Sequence, residues 1–134
     1  MKRSILLAGS PDTELAEVHP ELMRLAPNWE FLLVGSGLEA LDLLTRRECH
    51  AIVADLRLPD LTGLQLLGRV LHQWPQMHRI ILADLAALDS LLRCVGGIHQ
   101  FLVRPYEAQR IHVVLERAFA SEVWLSSAAA RPLL

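Results

Sequence analysis

The chain has 134 residues, of which 52% are hydrophobic and 21% are charged, with a formal net charge of −2 at pH 7. A chain of this length and apolarity can bury a core as one domain and is too apolar to remain disordered. The absence of a Lys/Arg block argues against a nucleic-acid surface, and the apolar runs are too short for a membrane span. We therefore expect a soluble domain that binds neither nucleic acid directly nor membrane.

The N-terminal segment MKRSILLAGSPD has a basic start and a short apolar run. It superficially suggests an export signal, but the run ends at Ala8 and is followed by a proline and an aspartate, so we predict a first strand over residues 4–8. A cytoplasmic protein is the expectation. Residues 12–25 keep a helical apolar face, and Pro20 inside it is expected to kink or split the helix.

Further runs of strand length occupy residues 29–34, 51–54, 79–83 and 100–103. Most are apolar on nearly every residue, which is typical of strands covered on both faces in a parallel sheet. Helical spacing of apolar residues follows Gly37 and Gly63 and recurs in the last segment, which contains Ile111 and Leu115. A short helix is predicted over residues 85–94. The alternation predicts a doubly wound α/β sandwich of five parallel strands, with ligands beyond the carboxyl ends of the strands.

Cysteine and histidine give no sign of a metal or redox site. Cys49 and Cys94 are far apart, without a C-x-x-C spacing, and are expected to be packing residues. The six histidines form no pair on one helix face and no cluster with the cysteines, so zinc has little support.

Few side chains at the predicted strand ends carry chemistry. The residues there are Gly9, Ser10, Asp55, Ala83, Asp84, Arg104 and Pro105. Asp55 has two interpretations. It is either a reactive carboxylate at a strand end or a residue whose carboxylate caps the turn ahead of Pro59.

Two segments carry a family resemblance. IVADLRLPDLTGLQLL, residues 52–67, resembles the phosphoacceptor segment of bacterial response-regulator receiver domains. HQFLVRPY, residues 99–106, is similar to their fifth strand, in which a lysine precedes a cis proline; here these positions hold Arg104 and Pro105. The resemblance implies a flavodoxin-like (βα)5 fold, with a receiver domain over residues 1–121 and a linker or tail over 122–134.

The resemblance implies a phosphoacceptor role for Asp55. In the family a Mg²⁺ ion is held by this carboxylate, by the backbone carbonyl two residues later, here Arg57, and by an acidic pair after the first strand. The pair aligns with Gly9 and Ser10, which have no carboxylate, so a weak Mg²⁺ site and no other cofactor is expected. Asp12 is a candidate replacement, although its more ordinary role is to cap the first helix.

The remaining site positions also depart from the family pattern. Ala83 takes the place of the hydroxyl residue that contacts the phosphoryl group, and Asp84 would occupy that place if the strand were shifted by one residue. Arg104 keeps the positive charge of the family's lysine, and we expect it to pair with Asp55 at rest. Phe101 takes the position of the aromatic residue that, in relatives, swings inward when the hydroxyl residue after the fourth strand moves. That hydroxyl residue is absent here.

The second half of the chain has a narrower resemblance, to receivers that precede HDOD or other HD-type output domains. On that basis residues 126–134 begin a linker toward an output domain. A plain C-terminal tail is the alternative. The resemblance also implies a histidine kinase or another signalling protein as partner, and a homodimer through the face of the fourth and fifth predicted helices and the fifth strand.

Three functions remain open from the sequence. The first is a signalling and interaction module, not an enzyme, with a degenerate phosphorylation site. The second is a competent Mg²⁺-dependent phosphoacceptor in which Asp12 or Asp84 replaces the lost acidic pair. The third is a flavodoxin-like cofactor binder, which has little support because AGSPDT after the first strand is a poor phosphate loop.

Overall fold

The computed structural model of the protein describes residues 3–10, 14–84, 86, 100–103 and 107–127, and only the backbone of 100, 101, 103 and 121–127. The strands are β1 (Arg3–Ala8), β2 (Trp29–Val34), β3 (Ala51–Asp55), β4 (His78–Ala83) and β5 (Gln100–Val103). The helices are α1 (Glu14–Leu25), α2 (Gly37–Arg46), α3 (Gly63–Gln73) and α4 (Ala108–Ser127). All five predicted strands are confirmed to within one residue. The predicted helix over 85–94 lies outside the described residues.

The five strands form one parallel sheet in the order β2-β1-β3-β4-β5. This is the flavodoxin-like order, and it confirms the predicted doubly wound fold. The chain reverses its direction of winding between β1 and β3, so a crevice is expected beyond the carboxyl ends of these two strands. Asp55 is the last residue of β3 and therefore lies at this edge.

Two separate cores cover the two faces of the sheet. The first lies against α1 and α4 and includes Ile5, Leu7, Leu15, Leu22, Ile80, Leu82, Ile111 and Leu115. The second lies against α2 and α3 and includes Leu6, Ala40, Ile52, Leu66, Leu67, Val70 and Ile81. Successive strand residues face opposite cores, which explains why the central strands are apolar along most of their length. Among the described residues, no helix is both long enough and apolar enough to cross a bilayer.

The first helix is not split at Pro20, contrary to one form of our expectation. α1 runs as a single element from Glu14 to Leu25 with Pro20 inside it. Pro20 is exposed, whereas Leu15 and Leu22 on either side are fully buried in the first core. Packing of both halves against the sheet thus outweighs the hydrogen bond that proline cannot donate.

The last helix crosses the predicted domain boundary. α4 continues to Ser127, so the segment that we predicted as linker, from residue 122 onward, begins within a helix. Residues 128–134 lie outside the described residues, and the boundary at 121 stays a prediction.

Candidate functional site

The carboxyl ends of β1, β3 and β4 meet at one edge of the sheet because β3 lies between the other two strands. Gly9 and Ser10 follow β1, Asp55 ends β3, and Ala83 and Asp84 end and follow β4. The structure thus brings together five of the residues that the sequence singled out. They form the candidate site.

Asp55 is a buried carboxylate in this site. Only 1% of its surface is exposed. Its Oδ1 accepts a hydrogen bond from the backbone N–H of Arg57 at 3.0 Å. This contact closes a turn two residues long, which is the structural role that the sequence left open. Because a buried carboxylate is costly without polar partners, the bond also helps to hold the charge at the end of the strand.

The loop over residues 56–62 leaves Asp55 and returns closely to it. The Leu56 carbonyl accepts from the N–H of Gly63 at 2.8 Å, and Arg57 and Thr62 form an antiparallel bridge. A Cβ on Gly63 would lie 2.5 Å from the Asp55 carbonyl oxygen, so glycine is required where α3 begins. Thr62 and Gln65 form a reciprocal capping box that fixes this start of α3.

The end of β1 contains no acidic side chain among the described residues. Gly9 is buried, and its N–H donates to the Val34 carbonyl at 3.0 Å, which continues the pairing between β1 and β2. Ser10 is half-buried and has a hydroxyl but no negative charge. At the two positions where the sequence predicts the loss of the acidic pair, Gly9 therefore contributes only a backbone contact and Ser10 only a neutral side chain.

The end of β4 contains an ion pair that the sequence did not predict. Ala83 is the last residue of the strand and is 1% exposed. Asp84 follows it, and its Oδ2 lies 3.1 Å from a guanidinium nitrogen of Arg57. The Arg57 side chain is 80% exposed, so this pair contributes little to stability. It nevertheless joins the loop after β3 to the end of β4, and only the strand order could have revealed it.

Several predicted site residues cannot be placed. Asp12, Arg104 and Pro105 lie outside the described residues. Phe101 lies in β5, but its side chain is outside the described part of the chain. The predicted contact of Arg104 with Asp55 and the predicted cis proline therefore stay predictions.

The described residues do not fit a strong Mg²⁺ site. In proteins this ion is usually held by one or two carboxylates and retains several waters. The described ends of β1, β3 and β4 supply two carboxylates: Gly9 and Ser10 have none, Asp55 ends β3, and Asp84 after β4 is engaged in a weak surface pair with Arg57. Within the described ranges, no group of three or more His, Cys, Asp or Glu side chains is placed to hold a metal ion.

Sequence reasoning missed Asp60, which lies in the loop after β3. Its Oδ1 and Oδ2 accept from the backbone N–H groups of Gly37 and Leu38, both at 2.9 Å. The pKa of Asp60 lies below its ordinary value, chiefly because of the Leu38 N–H and further because of those of Gly37 and Leu61. The partners are separated from Asp60 by 23 and 22 residues, so no local sequence signal marks the contact.

A surface depression lies at the other end of the sheet from the candidate site. It has a volume of about 300 Å³ and is lined by residues that include Arg47, Cys49, Trp74 and Met77. Cys49 is 8% exposed, and burial raises the pKa of its thiol, so the thiolate is disfavoured. This agrees with the packing role predicted for Cys49. Cys94 lies outside the described residues.

Comparison with known proteins identifies the family of the chain. The family model of the response regulator receiver domain matches residues 13–116. The chain is 33% identical to the regulatory protein LuxO of Vibrio cholerae over 87 residues, which are 64% of the chain. Over 77 residues, 56% of the chain, it is 34% identical to the hydrogenase transcriptional regulatory protein HoxA of Cupriavidus necator. The matches cover 19% and 16% of these relatives, so the chain corresponds to a small part of their length.

Two solved structures have the same fold. The signal receiver domain of an HD domain-containing protein from Pseudomonas fluorescens is 27% identical, with a TM-score of 0.76, and the match covers 90% of this chain and 97% of that one. The receiver domain of sensor histidine kinase PA1611 from Pseudomonas aeruginosa is 23% identical, with a TM-score of 0.73 and coverage of 87% and 97%. That structure has a magnesium ion in its active site cleft.

Proposed function

The chain belongs to the response regulator receiver domain family of two-component signalling, and from this premise we propose that it signals chiefly by binding other proteins. Asp55 holds the phosphoacceptor position, and its phosphorylation is weak or absent. The proposal makes the chain a signalling module and not an enzyme.

One observation carries the proposal: Asp55 is buried at the end of β3, and the described residues there include no acidic pair after β1 and no hydroxyl residue at the end of β4. Transfer to a carboxylate requires a nucleophile, a cation that neutralises phosphoryl charge, and donors to the remaining oxygens. Mg²⁺, when bound, supplies that neutralisation. Around Asp55 the described strand ends place Gly9, Ser10 and Ala83, which provide neither an acidic ligand nor a hydroxyl at the end of β4.

The competent-phosphoacceptor alternative requires a substitute acid. Asp84 lies 3.1 Å from the exposed Arg57 guanidinium, and this weak surface pair would have to open before Asp84 could act as a ligand. Asp12, the other candidate, lies outside the described residues. No described contact favours the alternative.

Intact-mass spectrometry after incubation with acetyl phosphate and Mg²⁺ tests the proposal. We expect little or no added phosphoryl mass, and none in an Asp55→Asn control. A stoichiometric phosphoryl adduct that disappears in the control would overturn the proposal in favour of the competent alternative.

A gain-of-function variant sharpens the same experiment. Ser10→Asp returns one carboxylate to the end of β1, beside Asp55, and Ala83→Ser returns a hydroxyl to the end of β4. If the missing groups limit the reaction, the double variant gains phosphorylation that the wild type lacks, and Asp55→Asn in the double variant abolishes it. An unmodified double variant that still binds Mg²⁺ more tightly than the wild type would show that some other feature blocks Asp55.

The output is proposed from the relatives. A histidine kinase or another signalling protein is the proposed upstream partner, and an HD-type output domain is the proposed neighbour after α4. The similarity to the receiver of an HD domain-containing protein, over 90% of this chain, supports the second part. A fusion that carries such a domain after Ser127 tests it: the activity of the joined domain should differ from that of the same domain alone, and an activity that is equal with and without the receiver would contradict the proposed neighbour.

A homodimer through the α4 and β5 side is also proposed. Val113 of α4 is 41% exposed and is the large apolar side chain that the described part of α4 presents to solvent; the predicted helix over residues 85–94, which completes the proposed face, lies outside the described residues. Sedimentation of Val113→Glu should then show loss of dimer, whereas Met23→Glu on α1, which is 47% exposed in the wild type, should not. A wild type that stays monomeric at high concentration would refute the dimer.

A further inference from the structure

The N-terminus of α2 is capped from a distant part of the chain. A helix begins with N–H groups that have no partner within it. In α2 the N–H groups of Gly37 and Leu38 donate to the two oxygens of Asp60, both at 2.9 Å. Ser36 Oγ accepts from Glu39 N at 3.1 Å, and the ordinary helical pattern starts when Ala40 N donates to the Ser36 carbonyl at 3.1 Å. The three N–H groups of residues 37–39 are thus satisfied, two of them by Asp60.

The same carboxylate shapes the loop that leaves the candidate site. Oδ1 of Asp60 also accepts from the N–H of Leu61 at 2.8 Å. The other end of this loop is held by Asp55, whose Oδ1 accepts from the N–H of Arg57 at 3.0 Å. Two carboxylates five positions apart in sequence therefore hold one short loop: Asp55 ties its start to the sheet, and Asp60 ties its end to α2.

The two ends of this loop lie against neighbouring elements. A Cβ on Gly37 would lie 2.9 Å from the Leu61 side chain, so the first turn of α2 rests directly against the loop. A Cβ on Gly63 would clash with the Asp55 carbonyl oxygen at the loop's far end. Contacts at both ends therefore fix this loop, although four of its seven residues are exposed.

We propose that Asp60 is a positioning residue for the Asp55 site: it clamps the 56–62 loop onto α2 so that the Arg57 N–H stays aimed at the Asp55 carboxylate. The same clamp carries a change at Asp55 to the first turn of α2. The inference goes beyond the proposed function, because it depends on the loop contacts and not on phosphorylation. It assigns α2 as an element that responds to the state of Asp55.

Amide hydrogen exchange and chemical shifts of the ¹⁵N-labelled protein test the clamp, without metal or acetyl phosphate. In Asp60→Ala we expect exchange of the Arg57 amide to rise by roughly tenfold, since loss of a hydrogen bond opens the loop locally. Exchange in β1 and β3 stays unchanged. Asp60→Asn, which keeps one carbonyl acceptor, should show a smaller rise. The matched control is Asp42→Ala, which removes an exposed acid of α2 that pairs with Arg46 at 2.9 Å.

Reciprocity gives the decisive comparison, because coupling between two sites acts equally in both directions. Asp55→Asn weakens the acceptor of the Arg57 N–H and should shift the Gly37 and Leu38 resonances. When Asp55→Asn is added to Asp60→Ala, the Gly37 and Leu38 resonances should stay where they are in Asp60→Ala alone. Equal shifts in both backgrounds, or an Arg57 amide whose exchange is the same in wild type, Asp60→Asn and Asp60→Ala, would overturn the inference. A failure of the phosphorylation test would leave these results unaffected.

Discussion

At the scale of single residues, Gly63 shows how closely the backbone approaches the candidate site. Its substitution by alanine would place a Cβ 2.5 Å from the Asp55 carbonyl oxygen and 2.9 Å from the Leu56 Cα, and neither backbone atom can move aside easily. We expect Gly63→Ala to lower the free energy of unfolding by about 1–3 kcal/mol, as overpacking does elsewhere. Urea unfolding measures this.

Gly68, five residues later in α3, is the matched control. It is exposed, and a Cβ there would meet no atom within 4 Å. Gly68→Ala should therefore stabilise the protein by about 0.5–1 kcal/mol, because alanine loses less backbone entropy in a helix. The steric argument fails if the two variants change stability in the same direction.

Asp60 gives a prediction about pH. Its pKa is lowered in the folded protein, chiefly by the Leu38 N–H, so folding favours the ionised form. The stabilisation is fully present above the ordinary aspartate pKa of about 3.9 and is lost as the pH falls through the lower pKa of the folded state. The difference in unfolding free energy between wild type and Asp60→Asn should therefore be constant above about pH 5 and shrink below about pH 4.

Urea unfolding at a series of pH values measures that difference. Asp42→Asn serves as the control, since Asp42 is an exposed acid of α2 that accepts no helix-capping bond in the described contacts. A difference between wild type and Asp60→Asn that grows as the pH falls from 5 would contradict the sign of the argument.

The site residues differ in how far the sequence could predict them. Asp55 was predictable because a continuous apolar run ended in a carboxylate, and parallel strands place such ends at the ligand edge. The Arg57–Asp84 pair depended on the adjacency of β3 and β4, which no local pattern encodes. The contact of Asp60 with α2 spans more than twenty positions, so predicting it would have required the path of the loop after β3 in space.

At the scale of elements, the strands were easier to predict than the behaviour of α1. Each strand was an isolated apolar run, whereas the fate of a helix containing Pro20 depended on tertiary packing that local propensity does not include. Leu15 and Leu22, both fully buried, hold the two halves of α1 on the sheet. The proline therefore weakens the helix without dividing it.

Replacement of Pro20 tests this account of α1. Pro20→Ala restores an N–H donor at an exposed interior position of the helix. Interior proline costs about 3 kcal/mol relative to alanine, and the greater freedom of the unfolded chain offsets part of that gain. We expect the variant to be more stable by about 1–2 kcal/mol, measured by urea unfolding.

Two further variants complete the test of α1. Met23→Ala, at a position that is 47% exposed, should change stability by less than about 0.5 kcal/mol. Leu22→Ala should cost about 2–5 kcal/mol because it opens a cavity in the first core. If Pro20→Ala instead lowers the free energy of unfolding, this account is wrong, because the proline would then stabilise α1 despite its missing N–H.

At the scale of the whole molecule, the sheet separates two cores that, among the described residues, share no side chain. The strand backbones lie between the two sets of side chains, so side chains of the two cores do not pack against each other. Communication between the faces must then pass through the strand ends and loops, such as the loop held by Asp55 and Asp60. This agrees with the placement of the candidate site at the edge where those loops meet.

A double-mutant cycle across the sheet tests that separation. Ile111→Val trims the first core and Ile52→Val trims the second; both side chains are fully buried. Each should lower the free energy of unfolding by about 0.5–1.5 kcal/mol, since one methyl group is lost in each core. Because distant sites without shared partners act independently, the double variant should equal the sum of the singles to within about 0.5 kcal/mol. A coupling above about 1 kcal/mol would mean that the sheet itself transmits packing changes, and α2 would then have a second route to the opposite face besides the loop.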